Sequence, residues 1–199
     1  NSGRFLEFCV ESVCRSDSPL EIIVVDNAST DETPVIAEAL ASEIEKVHAV
    51  RLEQKGRGHA LRSVFQSSQA DAICYMDIDL STDLNHIEDL IGGLQDGYDI
   101  VVGSRLLPDS RTNRSFKREI ISRSYNILIR VMFGYICSDF PCGFKAFRCN
   151  VVQDLLPKVK NNRFFFDTEI LLFADQFGYR ILDVPVNCLI LIVFAVIKL

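Results

Sequence analysis

The chain of 199 residues has no CxxC pair and no Cys/His pair at metal-ligand spacing, so its seven cysteines offer no thiolate zinc site. Seven is an odd number, and several of these thiols sit in apolar runs where they pack as small hydrophobes; reduced cysteines in a cytosolic compartment are the expectation. A broad basic face is also missing. The formal net charge of −6 argues against a nucleic-acid partner. The opening Asn1-Ser2-Gly3-Arg4 lacks the basic-then-apolar pattern of a secretory signal. The apolar tail from Leu189 to Ile197 is nine residues long, short of the roughly 20 that a membrane-spanning helix needs, so anchoring by this chain alone is not expected. With no internal repeat, no low-complexity linker and 48% apolar residues, the chain is expected to form one domain.

What is present is an alternation of strand and helix patterns. Phe5, Leu6, Cys9, Val10 and Val13 keep a helical period over residues 4–14. The β-branched run Ile22 to Val25 predicts a buried strand over 21–26, then a polar turn and a helix over 33–43 with Pro34 in its first turn. The unit recurs as strand 47–52, glycine loop and helix 59–69, then as strand 72–76, polar turn and helix 84–94, with a further strand over 100–102. Such alternation predicts an α/β, doubly wound, mostly parallel sheet with helices on both faces. Beyond Leu106 the pattern predicts a polar loop over 108–116, a helix over 117–133, a glycine-containing segment over 139–148, helices over 151–156 and 167–177, and a strand over 180–186.

In sheets of this class, ligands gather beyond the carboxyl ends of the strands. Those positions hold Asp26 and Asn27, Asp77 and Asp79, and Gly103 to Arg105. Side chains two apart in an extended strand point the same way, so Asp77 and Asp79 can reach one point. Two such carboxylates repel unless a cation intervenes, and a hard divalent ion, Mg²⁺ or Mn²⁺, suits oxygen ligands and would neutralise a departing diphosphate. Aspartates of this spacing also cap helices and shape turns, so the pair gains weight only from its context. Gly56 and Gly58 let the backbone bend at a helix start whose amides favour anionic or hydroxyl ligands; the plainer reading is a glycine turn with solvated Lys55 and Arg57. His59 is assigned no catalytic role. Arg105 can offer a planar fork to phosphate oxygens, and Arg118 and Ser122, one helical turn apart, can face one pocket. Arg111, Arg114 and Lys117 join them in a local basic patch, opposed by Asp109 and Glu119, that suits a small anionic substrate.

The segments VVDNASTDET (Val24 to Thr33), KGRGHA (Lys55 to Ala60), YMDIDLS (Tyr75 to Ser81), VVGSR (Val101 to Arg105), CGFKAFR (Cys142 to Arg148) and FFDTEILLFADQFGYRILDVPV (Phe165 to Val186) stand in a telling order. Together they resemble the inverting glycosyltransferases of the GT-A fold, especially the polyprenyl-phosphate (dolichol-phosphate) mannose and glucose synthases. The resemblance implies that Asp26 contacts the donor's base or ribose, with Asn27, Lys55, Gly56 and Asp77 in the nucleotide-sugar site. It implies that Asp77 and Asp79 bind metal and diphosphate, and that Arg105, Arg118 and Ser122 hold an acceptor phosphate. Asn27 and Ser81 depart from the acidic and polar residues usual there. The donor would be a UDP- or GDP-hexose, and the acceptor a polyprenyl phosphate reached from the cytoplasmic membrane face. An ionised lipid phosphate needs no strong base. A hydroxyl acceptor would need one, and Asp139, Asp167 or Glu169 are the candidates, Asp167 being taken with Asp79 and Arg105 as catalytic. For Asp167 and Glu169 the alternative is capping of their helix.

In that family a strand precedes the opening helix, and residues 1–187 look like the catalytic domain without it. A sheet lacking a central strand leaves unpaired backbone groups on two neighbours. Residues 188–199 form the apolar tail, and its nine-residue run suits a buried strand that fills the gap. Two further readings stand beside the transferase: a haloacid-dehalogenase-type phosphatase, because Asp77-Ile78-Asp79-Leu80-Ser81 follows an apolar strand, and a truncated, catalytically silent nucleotide-sugar-binding remnant.

Overall fold

Uninterrupted apolar runs bury side chains on both faces of a strand, which requires cover on both sides. In β1 (Glu21–Asn27), Ile22 and Val24 enter one apolar cluster while Ile23 and Val25 enter another. The first cluster is closed by α1 (Gly3–Cys14), α2 (Thr33–Glu43) and α4 (Ile87–Gln95). The second is closed by α3 (Arg57–Ser67), α6 (Cys149–Leu155) and α7 (Phe166–Gln176), with α5 (Phe116–Phe133) joining through Ile129. The computed structural model describes residues 3–15, 20–77, 83, 86–110, 116–134, 136–187 and 194–198.

The remaining strands are β2 (Val47–Leu52), β3 (Ala72–Asp77), β4 (Ile100–Ser104), β5 (Lys145–Arg148), β6 (Ile181–Pro185) and β7 (Phe194–Lys198). They form one sheet in the order β2-β1-β7-β3-β5-β4-β6. β1 and β2 pair in parallel, as do β4 and β6, whereas β5 and β7 run against both of their neighbours. Five strands therefore point one way, and the carboxyl ends of β1, β3 and β4 lie along one edge of the sheet.

The sequence pattern left 145–148 unassigned. Four residues are too few to establish a period, and β5 exists because it can pair with β3 on one side and β4 on the other. β7 lies between β1 and β3, placing Ile197 opposite both Ile22 and Cys74. A strand bonded on both sides is among the last to open. Hydrogen exchange is accordingly expected to show the bonded amides of 194–198 protected like those of β1; exchange at the rate of a frayed terminus would contradict this placement.

Candidate functional site

The strand-end residues sit in distinct settings. Asp26 is buried; its Oδ1 accepts from the Ser29 amide at 3.2 Å, and its Oδ2, which has no hydrogen-bond partner, lies 3.9 Å from Arg51 Nε. It borders a pocket of about 110 Å³ with Pro34, Ala37, Glu38, Ala49, Val50 and Arg51. Asn27 ties two loops together, because its Oδ1 accepts the Gly56 amide at 2.9 Å. An acid at this position would add a charge where an amide oxygen suffices to accept.

The start of α3 differs from the ligand-facing reading. The Gly56 amide is taken by Asn27 and the His59 amide donates to the Asn162 carbonyl at 3.0 Å, so these two groups are engaged within the protein. Lys55 is exposed. The glycines serve close approach: a Cβ on Gly56 would stand 2.6 Å from the Asn162 carbonyl oxygen, and one on Gly58 would stand 2.7 Å from Phe166 Cβ and 2.9 Å from the Asn161 oxygen.

That contact buries Arg57, which is not the solvated residue of the plainer reading. Its Nε donates to Asp167 Oδ2 at 2.6 Å and its Nη1 to Asp77 Oδ1 at 3.1 Å. Asp167 is 2% exposed, and its Oδ1 also accepts from the Tyr75 hydroxyl and from Lys145 Nζ, the latter at 3.3 Å. Lys145, fully buried on β5, donates as well to the carbonyls of Phe140 and Cys142. Two cations thus face two carboxylates, and the charges balance in a place where an unpaired one would be very costly. The Arg57 guanidinium carbon and Lys145 Nζ also stand 5.7 Å and 5.6 Å from the Tyr75 ring centroid. Burial alone would push the Asp167 carboxyl up, but Arg57, Lys145 and the Tyr75 hydroxyl outweigh it and hold the group below its usual range. Burial and the neighbouring Asp167 raise Tyr75, which stays a neutral donor.

Asp77 is the meeting point of this network and the sheet edge. Its side chain is 14% exposed, and it rests against Gly143, where a Cβ would fall 2.6 Å from the Asp77 Cγ. Asp79 and Ser81 lie outside the described residues. Among the described residues no group of three or more His, Cys, Asp or Glu is arranged to hold a metal. Asp77 nevertheless offers what a hard divalent cation takes: a carboxylate oriented by Arg57 at the mouth of the sheet edge. Mg²⁺-type sites commonly combine one or two carboxylates with substrate phosphates rather than an all-protein cage.

The other two base candidates are also engaged. Asp139 is fully buried and holds Arg105 in a two-point ion pair, Nε to Oδ2 at 2.6 Å and Nη2 to Oδ1 at 2.9 Å. The fork that the sequence offers to phosphate is therefore occupied by a carboxylate, and an incoming phosphate would have to share the guanidinium. Glu169 accepts the amides of Lys160 and Asn161 at 3.1 and 2.8 Å, ordering the loop before α7. On α5, Ser122 is buried with its Oγ unpartnered, and the Arg118 side chain lies outside the described residues.

Arg57 and Lys145 are the residues that motif reading passed over. The signal for Arg57 was its place between two glycines; a lysine inside the apolar stretch CGFKAFR was the signal for Lys145. Neither shows its partners without the fold.

An α/β domain with acidic strand ends along one sheet edge, braced by a buried ion network, is the class that this geometry defines. The chain belongs to glycosyl transferase family 2, whose profile matches residues 1–156. It is 37% identical over 189 residues to the glycosyltransferase AglD of Haloferax volcanii, covering 94% of this chain and 30% of that protein. It is 30% identical over 178 residues to the human dolichyl-phosphate beta-glucosyltransferase, covering 84% of this chain and 55% of the relative. The chain therefore spans about a third to a half of the length of these relatives. Among solved structures, a glucosyl-3-phosphoglycerate synthase of Mycobacterium tuberculosis, in complex with Mn²⁺, UDP and glucosyl-3-phosphoglycerate, superposes with a TM-score of 0.70 at 20% identity, covering 94% of this chain and 67% of that one. A mannosyltransferase of Pyrobaculum calidifontis in complex with GDP-Man and Mn²⁺ gives 0.62 at 21% identity, covering 94% and 53%. At these identities the structures establish the GT-A-like fold. Family membership removes the dehalogenase-type alternative. No helix among the described residues is long and apolar enough to cross a membrane.

Proposed function

We propose that this chain is the catalytic domain of an inverting, metal-dependent glycosyltransferase that moves a hexose from a UDP- or GDP-sugar to a polyprenyl phosphate, working at the cytoplasmic membrane face. In this reading residues 1–187 are the catalytic domain, and 194–198, within the tail of residues 188–199, form the strand between β1 and β3. One observation favours an acceptor that is already ionised: Asp139, Asp167 and Glu169, the carboxylates that the sequence offered as a general base, are all engaged, two in buried ion pairs and one in capping a loop. Lipid phosphate attacks the anomeric carbon through an oxygen that carries no proton, the bond from that carbon to the diphosphate breaks, and nothing needs to be deprotonated. Curated relatives named for dolichyl-phosphate and undecaprenyl-phosphate transfer agree with this acceptor class.

In this reading Asp77 and Asp79 hold Mg²⁺ or Mn²⁺, which when bound supplies positive charge to the leaving diphosphate. Arg57 fixes the carboxylate of Asp77, and Asp167 and Lys145 fix Arg57, so Asp167 positions the site rather than accepting a proton. Asp26 and Asn27 lie toward the nucleoside, with Lys55 and Gly56 beside them. Arg105, Arg118 and Ser122 line the acceptor side. The test is calorimetric titration of UDP- and GDP-sugars with and without Mn²⁺. Asp79→Ala is expected to abolish the cation-dependent part of donor binding, a loss of about a hundredfold or more if a desolvated charge contact is removed. Unchanged affinity in that variant would remove the metal assignment.

A further inference from the structure

Arg105 and Asp77 follow different strands, and the short segment 139–143 touches both. At its start, Asp139 accepts from the Arg105 amide at 3.2 Å as well as from the guanidinium. At its end, Gly143 lies so close to Asp77 that a Cβ would fall 2.6 Å from the carboxylate carbon. Between them the Cys142 amide donates to the Asp139 carbonyl at 3.1 Å and closes a turn. Phe144, the next residue, accepts the Gly103 amide at 2.8 Å, which stitches the segment to the end of β4. The position of this turn therefore sets how far Arg105 stands from Asp77.

A buried turn keeps its place only where its backbone groups find partners. The Phe140 amide finds Asn126 Oδ1 at 2.9 Å. The carbonyls of Phe140 and Cys142 both accept from Lys145 Nζ, the first at 3.0 Å. The same ammonium donates to Asp167 Oδ1 at 3.3 Å. An ammonium has three protons, and these three acceptors use them all, so the fully buried Lys145 has none left for a substrate phosphate. What it does is hold the turn against Asp167. The other oxygen of Asp167 holds Arg57, and Arg57 holds Asp77. A methionine would fill the same space without the desolvation cost of a buried ion, but it would leave both carbonyls of the turn without this donor.

Under the function proposed above, on which this inference rests, Asp77 serves the leaving diphosphate and Arg105 the acceptor phosphate. In-line displacement places the attacking and departing oxygens on opposite sides of one carbon, and a misplacement of about 1 Å can cost about a hundredfold in rate. We propose that Lys145 is a positioning residue for transfer: by clamping the 139–143 turn to Asp167, it fixes the separation between Arg105 on the acceptor side and Asp77 on the donor side.

The experiment compares the unaltered chain with K145M and K145M/D167N. Without any substrate, the Phe140 and Cys142 amides of K145M are expected to exchange about tenfold faster or more, while the bonded amides of β1 and β3 stay protected. UDP-glucose and GDP-mannose with Mn²⁺ serve as donors, and farnesyl phosphate as a short acceptor. Donor affinity in K145M is expected to stay within about threefold, because Asp77 keeps Arg57 and Arg57 keeps Asp167. The kcat for transfer is expected to fall about a hundredfold, whereas slow donor hydrolysis by water, which makes no use of Arg105, is unchanged. The double variant separates position from stability. It leaves Arg57 and Asp77 as a balanced pair, so it is expected to unfold at higher urea than K145M, yet its transfer stays low because the turn is still unclamped. If K145M does not fold, the double variant carries the same measurements with D167N as its reference.

Unchanged exchange at 140 and 142, or a kcat within about threefold of the unaltered chain, overturns the proposal. So does a loss of donor affinity that accounts for the loss of transfer, or transfer that returns with stability in K145M/D167N. An unaltered chain that neither binds a donor nor transfers fails the function proposed above before any substitution is compared, and the positioning role falls with it.

Discussion

Arg57→Ala is expected to lower the unfolding free energy by about 3–5 kcal/mol, because it removes one member of a buried ion network and strands its carboxylates. The substitution takes the guanidinium from both Asp167 and Asp77, at 2.6 and 3.1 Å, and leaves Lys145 as the remaining described cation beside Asp167. Arg57→Lys is expected to recover part of the loss, since an ammonium keeps the charge but cannot reach two carboxylates through a planar fork. Urea denaturation of the three proteins measures this; a loss below about 1 kcal/mol for alanine would show the network to be incidental.

The acid limb reports on the same network. Asp167 is held below its ordinary range in the folded chain, after burial is outweighed by Arg57, Lys145 and Tyr75. A group with a depressed folded pKa stabilises fully above its unfolded value, about 3.9 for aspartate, and that contribution disappears as pH falls through the folded value. The stability gap between the unaltered chain and D167N should therefore be level above about pH 5 and shrink as the pH falls below about 4. A gap that grows on acidification would contradict the assignment.

The second large effect separates two glycines. Gly58→Ala would drive a Cβ to 2.7 Å from Phe166 Cβ and 2.9 Å from backbone atoms at Asn161 and Asn162, none of which can swing aside. Overpacking of that kind costs about 1–3 kcal/mol or more, so G58A is expected to unfold at clearly lower denaturant. For Gly143→Ala the three nearest atoms all belong to the carboxylate of Asp77, and a side chain can rotate. G143A should lose less stability than G58A, because the strain is released by moving Asp77 and Arg57 keeps its pairing with Asp167. That movement pulls the carboxylate from Arg57 and from the cation position, so donor affinity in Mn²⁺ should drop by about tenfold or more while the metal-free affinity stays put. Comparable stability losses in both variants would mean that Asp77 cannot yield and that the two glycines act alike.

Much of the architecture is readable because it follows from period and composition. The short β-branched run Ile22 to Val25 reads as a strand covered on both faces, and the helical spacing of Phe5 to Val13, of 117–133 and of 167–177 needs no neighbour to explain it. The strand-end residues Asp26, Asn27 and Asp77 are legible for the same reason: a strand's end fixes where its next side chains stand. β5 is different. Its four residues become a strand only through two antiparallel partners far away in sequence.

The sequence alone determined the alternating elements, the edge where the acids collect and the excess of basic charge around α5, since each depends on residues near one another in the chain. The tertiary structure decided which charges are free to act. Arg57, Asp167, Lys145 and Asp139 find their partners across 20 to 110 residues. Whether a carboxylate is a base, a ligand or a buried counterion is set by desolvation and by the nearest opposite charge, and both exist only once the chain has folded.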